Sequence, residues 1–412
     1  MKVVLINHSD TKGGASIVTF RLMQALRRYN IDARMLVLHK GSRSEFVYQV
    51  GPKWRVRYAF LKEQLRIYAN NGHSKKDMFL VSVANAGLPL HRNPLVKGAD
   101  VVVLNWINQG MLSMREIMNI ARVKPVVWTM HDMWNMTGIC HHAGNCDKYK
   151  TYCQSCHLLN KGAGPRDLST KVFNVKGQLY NTVNIHFVAV SDWLYKRAME
   201  SELLSNQNVR MINNAFPTEI YSKAPKYTRE QLGLPAGKAL IVFCAARCDD
   251  PMKDLPMAIR GLNQLHEDGN YNNALAVFVG AFKNKKILKS LKMPYKCLGV
   301  IDEQEKMQSI MSHALVVLNT SPFESLPTVL IEGQAAGAMP VSYTHDGRAD
   351  IISNGMNGYS ILPGETPYDA LCQALSHPLS EGILRKAAIK FSYQTIAARY
   401  IKLFRELCPK VK

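Results

Sequence analysis

The stretch KVVLINHSDTKGGASIVTFRLMQALRR, residues 2–28, decides the fold. KVVLIN is an apolar, β-branched run, HSDTKGG breaks it with glycines, and ASIVTFRLMQALRR carries apolar residues at helical spacing. The chain therefore opens as strand, glycine loop, helix. DARMLVLH (32–39), ADVVVLNW (99–106), KPVVWTMH (124–131) and IHFVAVS (185–191) read as further buried strands with helical stretches between them. That alternation predicts an α/β protein with a doubly wound parallel sheet. The same grammar restarts at ALIVFCAA (239–246) and continues through ALAVFVG (274–280), KCLGV (296–300), ALVVLNT (314–320) and AMPVSYT (338–344). Two such domains in series predict a ligand cleft between them. The division expected is 1–205, 206–391 and a closing helical segment, 392–412.

The length of 412 residues suits two domains, each large enough for a proper core. Hydrophobic residues at 47% and charged residues at 20% are globular values, and no apolar run approaches the roughly 20 residues of a membrane-spanning helix. The short apolar run after Met1 leads into a glycine turn, so no signal peptide is expected, and the cytoplasm is the expected location. With 52 Lys+Arg against 31 Asp+Glu the net charge is +21, which draws the protein to polyanions: nucleic acid, anionic lipid or phosphorylated substrates.

SPFESLPTVLIEGQAAG (321–337) places Glu324 and Glu332 around a predicted helix running from about Pro327 to Gly337, with Ser325 as its expected N-cap. A helix mouth suits a diphosphate, and carboxylates beside it can accept hydrogen bonds from neutral hydroxyls. One glutamate on each side of a diphosphate fits a nucleotide sugar, with ribose at one end and hexose at the other. FCAARCDDPMKDL (243–255) adds Arg247 at a strand end and Lys253 on the loop after it, fixed charge for a leaving diphosphate.

Arg247 with Lys253, the segment GVIDEQEKMQSIMSHALVVLNTSPFESLPTVLIEGQAAGAMPVSY and HDGRADII together resemble the C-terminal domain of family 4 glycosyltransferases, retaining enzymes of the GT-B fold, two Rossmann-like domains with a deep cleft. HSDTKGGA, TMHDMW, VAVSDWL and MINNAF extend the resemblance through the first half, and the cysteine-rich stretch after HDMW resembles a subset that includes colanic-acid-type biosynthesis enzymes. The resemblance implies that Glu332 holds ribose hydroxyls, Glu324 lies near the donor sugar, and Arg247 and Lys253 clamp the pyrophosphate. It makes Ser325, Leu326 and Gly347 further donor contacts, Gly13 and Gly14 points of close backbone approach, and His131 the histidine facing the donor sugar. Asp346-Gly347 stands here where the family has a glycine pair.

The resemblance implies a hexosyltransferase acting on a glycan or lipid-linked saccharide in surface polysaccharide biosynthesis. The sequence has no Asp-x-Asp, so no metal cofactor is expected for catalysis. A nicotinamide-dependent oxidoreductase is disfavoured because TKGGAS lacks G-x-G-x-x-G. A zinc-containing nucleic-acid-binding protein is disfavoured by dispersed basic residues and the lack of a reader module, so no nucleic-acid partner is expected.

CHHAGNCDKYKTYCQSC carries Cys140, Cys146, Cys153 and Cys156. Four thiols at short spacing suit a structural tetrahedral zinc, with reduced thiols and disulfides as the alternatives. In KWRVRYAFLKEQLRIYA (53–69), Trp54, Tyr58, Leu61, Leu65 and Tyr68 share one helical face flanked by Arg and Lys. That face either docks on the sheet or rests on an anionic membrane surface.

Overall fold

The computed structural model describes residues 1–409; Lys410, Val411 and Lys412, the end of the expected closing segment, lie outside the described residues. The chain forms two units: Met1–Ala215 with the segment from Ile396 onward, and Phe216–Thr395.

The first unit is built on a seven-stranded sheet ordered β3-β2-β1-β4-β5-β6-β7. Its strands are β1 (Lys2–Ser9), β2 (Asp32–His39), β3 (Val47–Gln49), β4 (Val101–Leu104), β5 (Val126–Met130), β6 (Ile185–Ala189) and β7 (Asn208–Met211). All neighbours pair in parallel, with Val3 opposite both Ala33 and Val101. Parallel strands need crossovers, which cover both faces of the sheet, so Val3–Ile6 of β1, all of β4, and β5 apart from Thr129 are apolar, and all of them are buried. β7, which a division at 205/206 leaves out, pairs with β6 and belongs to this sheet. Its four residues, NVRM, are exposed or half-buried, so burial leaves no apolar run to read.

The second unit repeats the plan in six strands ordered β10-β9-β8-β11-β12-β13. They are β8 (Ala239–Arg247), β9 (Ala274–Ala281), β10 (Tyr295–Gly299), β11 (Val316–Asn319), β12 (Met339–Ser342) and β13 (Tyr359–Ser360), again parallel throughout. Ile241, Phe243, Phe278, Leu318 and Val341 of the sheet meet Leu255, Ile259, Leu262 and Leu371 of the covering helices in one core. The ends of this unit are tied together, Phe216 N donating to Phe391 O (2.8 Å) and Tyr393 N to Phe216 O (3.1 Å).

The last helix, Tyr393–Leu407, fastens to the first unit through Tyr400, whose hydroxyl bonds Thr129 Oγ1 at 2.9 Å, and through Glu406, paired with Arg210 at 2.6 Å. Among the described residues no helix is long and apolar enough to cross a membrane.

Candidate active site

In the second sheet the strand order reverses between β8 and β11, and open α/β sheets take ligands outside the carboxyl ends of the strands at such a point. Arg247 is the last residue of β8, on a register shift that follows Cys244. Lys253 ends the short turn Pro251–Lys253, and Glu324 lies on the loop after β11. Thr320 Oγ1 donates to the carbonyls of Lys253 (3.1 Å) and Asp254 (2.9 Å), which locks the two loops together. Lys253 Nζ reaches Glu324 Oε1 at 2.6 Å.

The helix Thr328–Ala336 points its N-terminus at the same edge. Its N-cap is Pro327, with no side-chain cap, and Gly337 closes it in the left-handed region at φ 99°. Ser325 is therefore not the N-cap: its Oγ is buried without a partner. Proline, with its φ already fixed, supplies the entry geometry and leaves the mouth open. Leu326 is 7% exposed, so its side chain packs inside the unit. Glu332 sits one turn into this helix, half-buried. Cys244 on β8 has its thiol pushed up by burial and then by the charge of Glu332, which places that carboxylate beside the strand.

Burial opposes ionisation of Glu324, yet the ammonium of Lys253, with a hydrogen bond from Ser321 and the charge of Arg348, holds the carboxyl below its ordinary range. Arg247 is held by Asp250 (2.9 Å) and faces Asp249 (3.7 Å). Both cations thus lie against carboxylates that a more highly charged diphosphate can displace.

Sequence reasoning missed what holds Glu324 in place. Asp346 Oδ2 accepts from Glu324 N (2.8 Å), and Gly347 N donates to Glu324 O (3.2 Å). Asp346 is in turn gripped by Arg348 through Nε (2.8 Å) and Nη2 (2.7 Å), and both side chains are fully buried. Arg348 also donates to Asn319 Oδ1 (3.3 Å) and to Ser321 O, so one guanidinium joins the β11 and β12 loops. The signal was the Asp-x-Arg of HDGRAD, a spacing that suits a bidentate pair.

In the first unit the order reverses between β1 and β4, and the corresponding edge carries histidines and a tryptophan. Gly13 (φ 91°) caps the helix Gly14–Arg28 without a side-chain bond, and a Cβ at Gly13 or Gly14 would meet nothing within 4 Å. The space before that helix mouth is open. His131 follows β5. Asn105 donates through Nδ2 to Val103 O (3.4 Å), so its Oδ1 accepts from His131 Nε2 (3.1 Å), which leaves His131 Nδ1 as an acceptor. Next to it, Asp132 Oδ2 binds His141 Nδ1 (2.7 Å), whose Nε2 meets Ser82 Oγ (3.0 Å). The His141 ring stacks on Trp106 at 5.7 Å, and His8 abuts the same indole edge-on at 5.5 Å.

Burial lowers His131 to about 4, against the pull of Asp132, and burial followed by the charge of His39 lowers His8 to about 4. Both are neutral at pH 7. Between their ordinary 6.5 and 4 the unfolded chain binds protons that the folded chain does not, so stability is full above that window and falls as pH drops through it. The Tm of the wild type is expected to fall by roughly 5 °C between about pH 7 and pH 5, and that of His131→Gln by less. Scanning calorimetry across the pH series checks this; equal acid losses in the two proteins would contradict it.

The 140–156 loop carries the four cysteines expected to hold zinc. All are free thiols, and among the described residues no group of three or more His, Cys, Asp or Glu side chains could hold a metal ion. Burial pushes the Cys140 thiol up to about 12 and the Cys153 thiol to about 11. Other bonds fold the loop. Buried Lys176 donates to Trp134 O and, at 3.0 Å, to Thr137 O; Thr137 Oγ1 donates to Cys140 O (2.6 Å), and Cys156 N to Asp167 Oδ2 (2.7 Å). Short cysteine spacing in the sequence does not reveal that a lysine from a distant helix already ties these carbonyls.

Residues 226–395, nearly the whole second unit, match the family described as Glycosyl transferases group 1. The chain thus carries a glycosyltransferase group 1 domain, in a fold of two Rossmann-like parallel sheets that matches GT-B glycosyltransferase structures. Among curated proteins it is 24% identical over 318 residues to the putative colanic acid biosynthesis glycosyl transferase WcaC of Escherichia coli K12, covering 74% of this chain and 73% of that protein. Among solved structures, Anabaena HepE in complex with UDP superposes with a TM-score of 0.63 at 16% identity over 98% of this chain and 100% of that one. A glycosyltransferase from Rickettsia africae gives 0.67 at 12% identity over 100% and 99%.

Proposed function

We propose that the protein is a retaining, metal-independent glycosyltransferase that moves a hexose from a nucleotide diphosphate sugar to a hydroxyl of a glycan or lipid-linked saccharide in surface polysaccharide biosynthesis. The observation that carries the reading is the Lys253–Glu324 pair at the open mouth of the helix Thr328–Ala336, inside the matched glycosyltransferase domain. The names of two similar proteins, a colanic acid biosynthesis glycosyl transferase and HepE in complex with UDP, support the donor class and the pathway class.

In this reading the diphosphate lies across the helix mouth, where unpaired amides and the helix dipole favour an anion. Arg247 and Lys253 exchange their carboxylate partners for its oxygens. Glu332 accepts from the ribose hydroxyls and Glu324 from those of the transferred sugar, while Gly347, Ser325 and Leu326 contribute loop and backbone contacts. On the first unit, Gly13 and Gly14 are assigned to backbone approach and His131 Nδ1 to accepting a sugar hydroxyl. The bond from the anomeric carbon to the phosphate oxygen breaks with its electron pair leaving on the diphosphate. The acceptor oxygen adds from the same face, and its proton passes to a phosphate oxygen. Fixed cations and amides aimed at the growing charge lower the barrier without reorganising.

A donor-hydrolysis screen across common nucleotide sugars tests this. One donor is expected to be turned over, and Glu332→Ala to raise its KM about tenfold or more through loss of charged hydrogen bonds to ribose. Undiminished turnover by that variant at low donor would remove the ribose assignment.

A further inference from the structure

The helix Lys53–Asn70 carries two stripes on opposite faces, and the one facing inward is not the aromatic one. Ala59, Glu63 and Ile67 recur every four residues and are buried. The Glu63 carboxylate accepts from the backbone N–H groups of Val83 (2.8 Å), Ala84 (3.0 Å) and Gly110 (3.1 Å), which pins this face to the unit and satisfies its charge. At about 100° per residue, Trp54, Tyr58, Leu61 and Leu65 fall on the far side. They are 66%, 62%, 45% and 65% exposed. Beside the helix, the turn Met78–Leu80 adds Phe79 at 67% and Leu80 at 44%.

Cations frame this apolar surface. Arg55, Lys62 and Arg66 line one flank of the stripe, Lys53 and Arg57 the other, and all are exposed, as are Lys75 and Lys76 beyond the helix. Between residues 53 and 80 there are two acids: Glu63, turned inward, and the half-buried Asp77. The outer face of the helix therefore presents apolar and aromatic groups between rows of positive charge.

We propose that this face is a docking surface for an anionic phospholipid membrane, the helix lying in the plane of the headgroups. The stripe enters the acyl boundary, Trp54 and Tyr58 sit at the interface, and the lysines and arginines reach back to phosphates on flexible stems. A second copy of the chain fits worse, because apposing two such faces sets like charge against like. A polynucleotide would meet the cations but leave Leu61, Leu65 and Phe79 unmatched. The net charge of +21 adds to attraction by an anionic leaflet. The surface goes beyond the donor reading and is tested without donor or turnover, so either can fail alone.

The test is sedimentation of the full chain with vesicles of phosphatidylglycerol and phosphatidylcholine, compared with phosphatidylcholine alone. Binding is expected to the mixed vesicles, to weaken with salt, and to fall about tenfold or more in Trp54→Ser/Leu65→Ser. Both side chains are exposed, so that variant keeps its circular dichroism and Tm. Arg55→Gln/Arg66→Gln is expected to lose most of the preference for the anionic vesicles. Wild-type protein that stays in the supernatant overturns the proposal, as does equal binding by the Trp54/Leu65 variant. So does a concentration-dependent dimer, or retention of duplex DNA, that depends on Trp54 and Leu65.

Discussion

Lys253→Ala is expected to lower the kcat of sugar transfer about 10²–10³-fold, with a smaller change in the KM for donor, the loss typical of removing one charge-stabilising donor from a transition state. In the proposed mechanism the side chain acts where negative charge grows, on the oxygen that leaves the anomeric carbon. Its removal also strands Glu324, whose low pKa depends on the ammonium 2.6 Å away. Without that partner the Glu324 carboxyl protonates more readily, which would weaken the sugar contact proposed for it. Arg247→Ala should cost a similar factor, and the two losses should be less than additive if both act on one diphosphate. Steady-state kinetics on protein of unchanged circular dichroism decides the matter. A kcat for Lys253→Ala within about threefold of wild type would sink the role given to it.

Arg348→Met should give the largest loss of stability, about 3–5 kcal/mol, because it removes the guanidinium that pairs with the buried Asp346 carboxylate and leaves only the half-exposed His345 ring, 3.9 Å away, beside it. For a unit of this size that is a fall in Tm of roughly 10 °C. The cost is structural in origin and functional in consequence. Asp346 anchors the backbone of Glu324, and Arg348 binds the carbonyl of Ser321, so losing the pair frees the loop that carries the glutamate. Replacing both members, Arg348→Met with Asp346→Leu, should restore part of the stability, since no isolated charge remains, while activity stays low. A double variant as active as wild type would show that the pair does not position Glu324.

The repeated strand, loop and helix grammar was legible because β1, β2, β4, β5, β6, β8, β9, β11 and β12 are largely apolar, largely buried runs, and the edge strand β10 still follows the same alternation with helices. The strands that escaped notice, Val47–Gln49, Asn208–Met211 and Tyr359–Ser360, are at sheet edges and two to four residues long, too short to show a period. Arg247, Lys253, Glu324 and the helix mouth could be singled out as candidates because a strand end, a loop and a helix start each leave a mark in the sequence. The Asp346–Arg348 pair was not, since in a chain with 52 lysines and arginines one more arginine reads as surface. The helix Lys53–Asn70 shows a different limit. Its aromatic stripe is equally good as a core face, and only the inward hydrogen bonds of Glu63 tell which way it turns. Sequence also cannot see that Lys176 reaches the carbonyls of Trp134 and Thr137, just ahead of the four cysteines.

Titration calorimetry of the full chain with UDP, GDP, ADP and their parent nucleosides, in excess EDTA, tests the central claim most directly. One nucleoside diphosphate is expected to bind in the micromolar range without divalent metal, about 100-fold tighter than its nucleoside, and Arg247→Ala/Lys253→Ala is expected to abolish that advantage. Diphosphate affinity that appears only when metal is restored, or that survives in the double variant, would contradict the account.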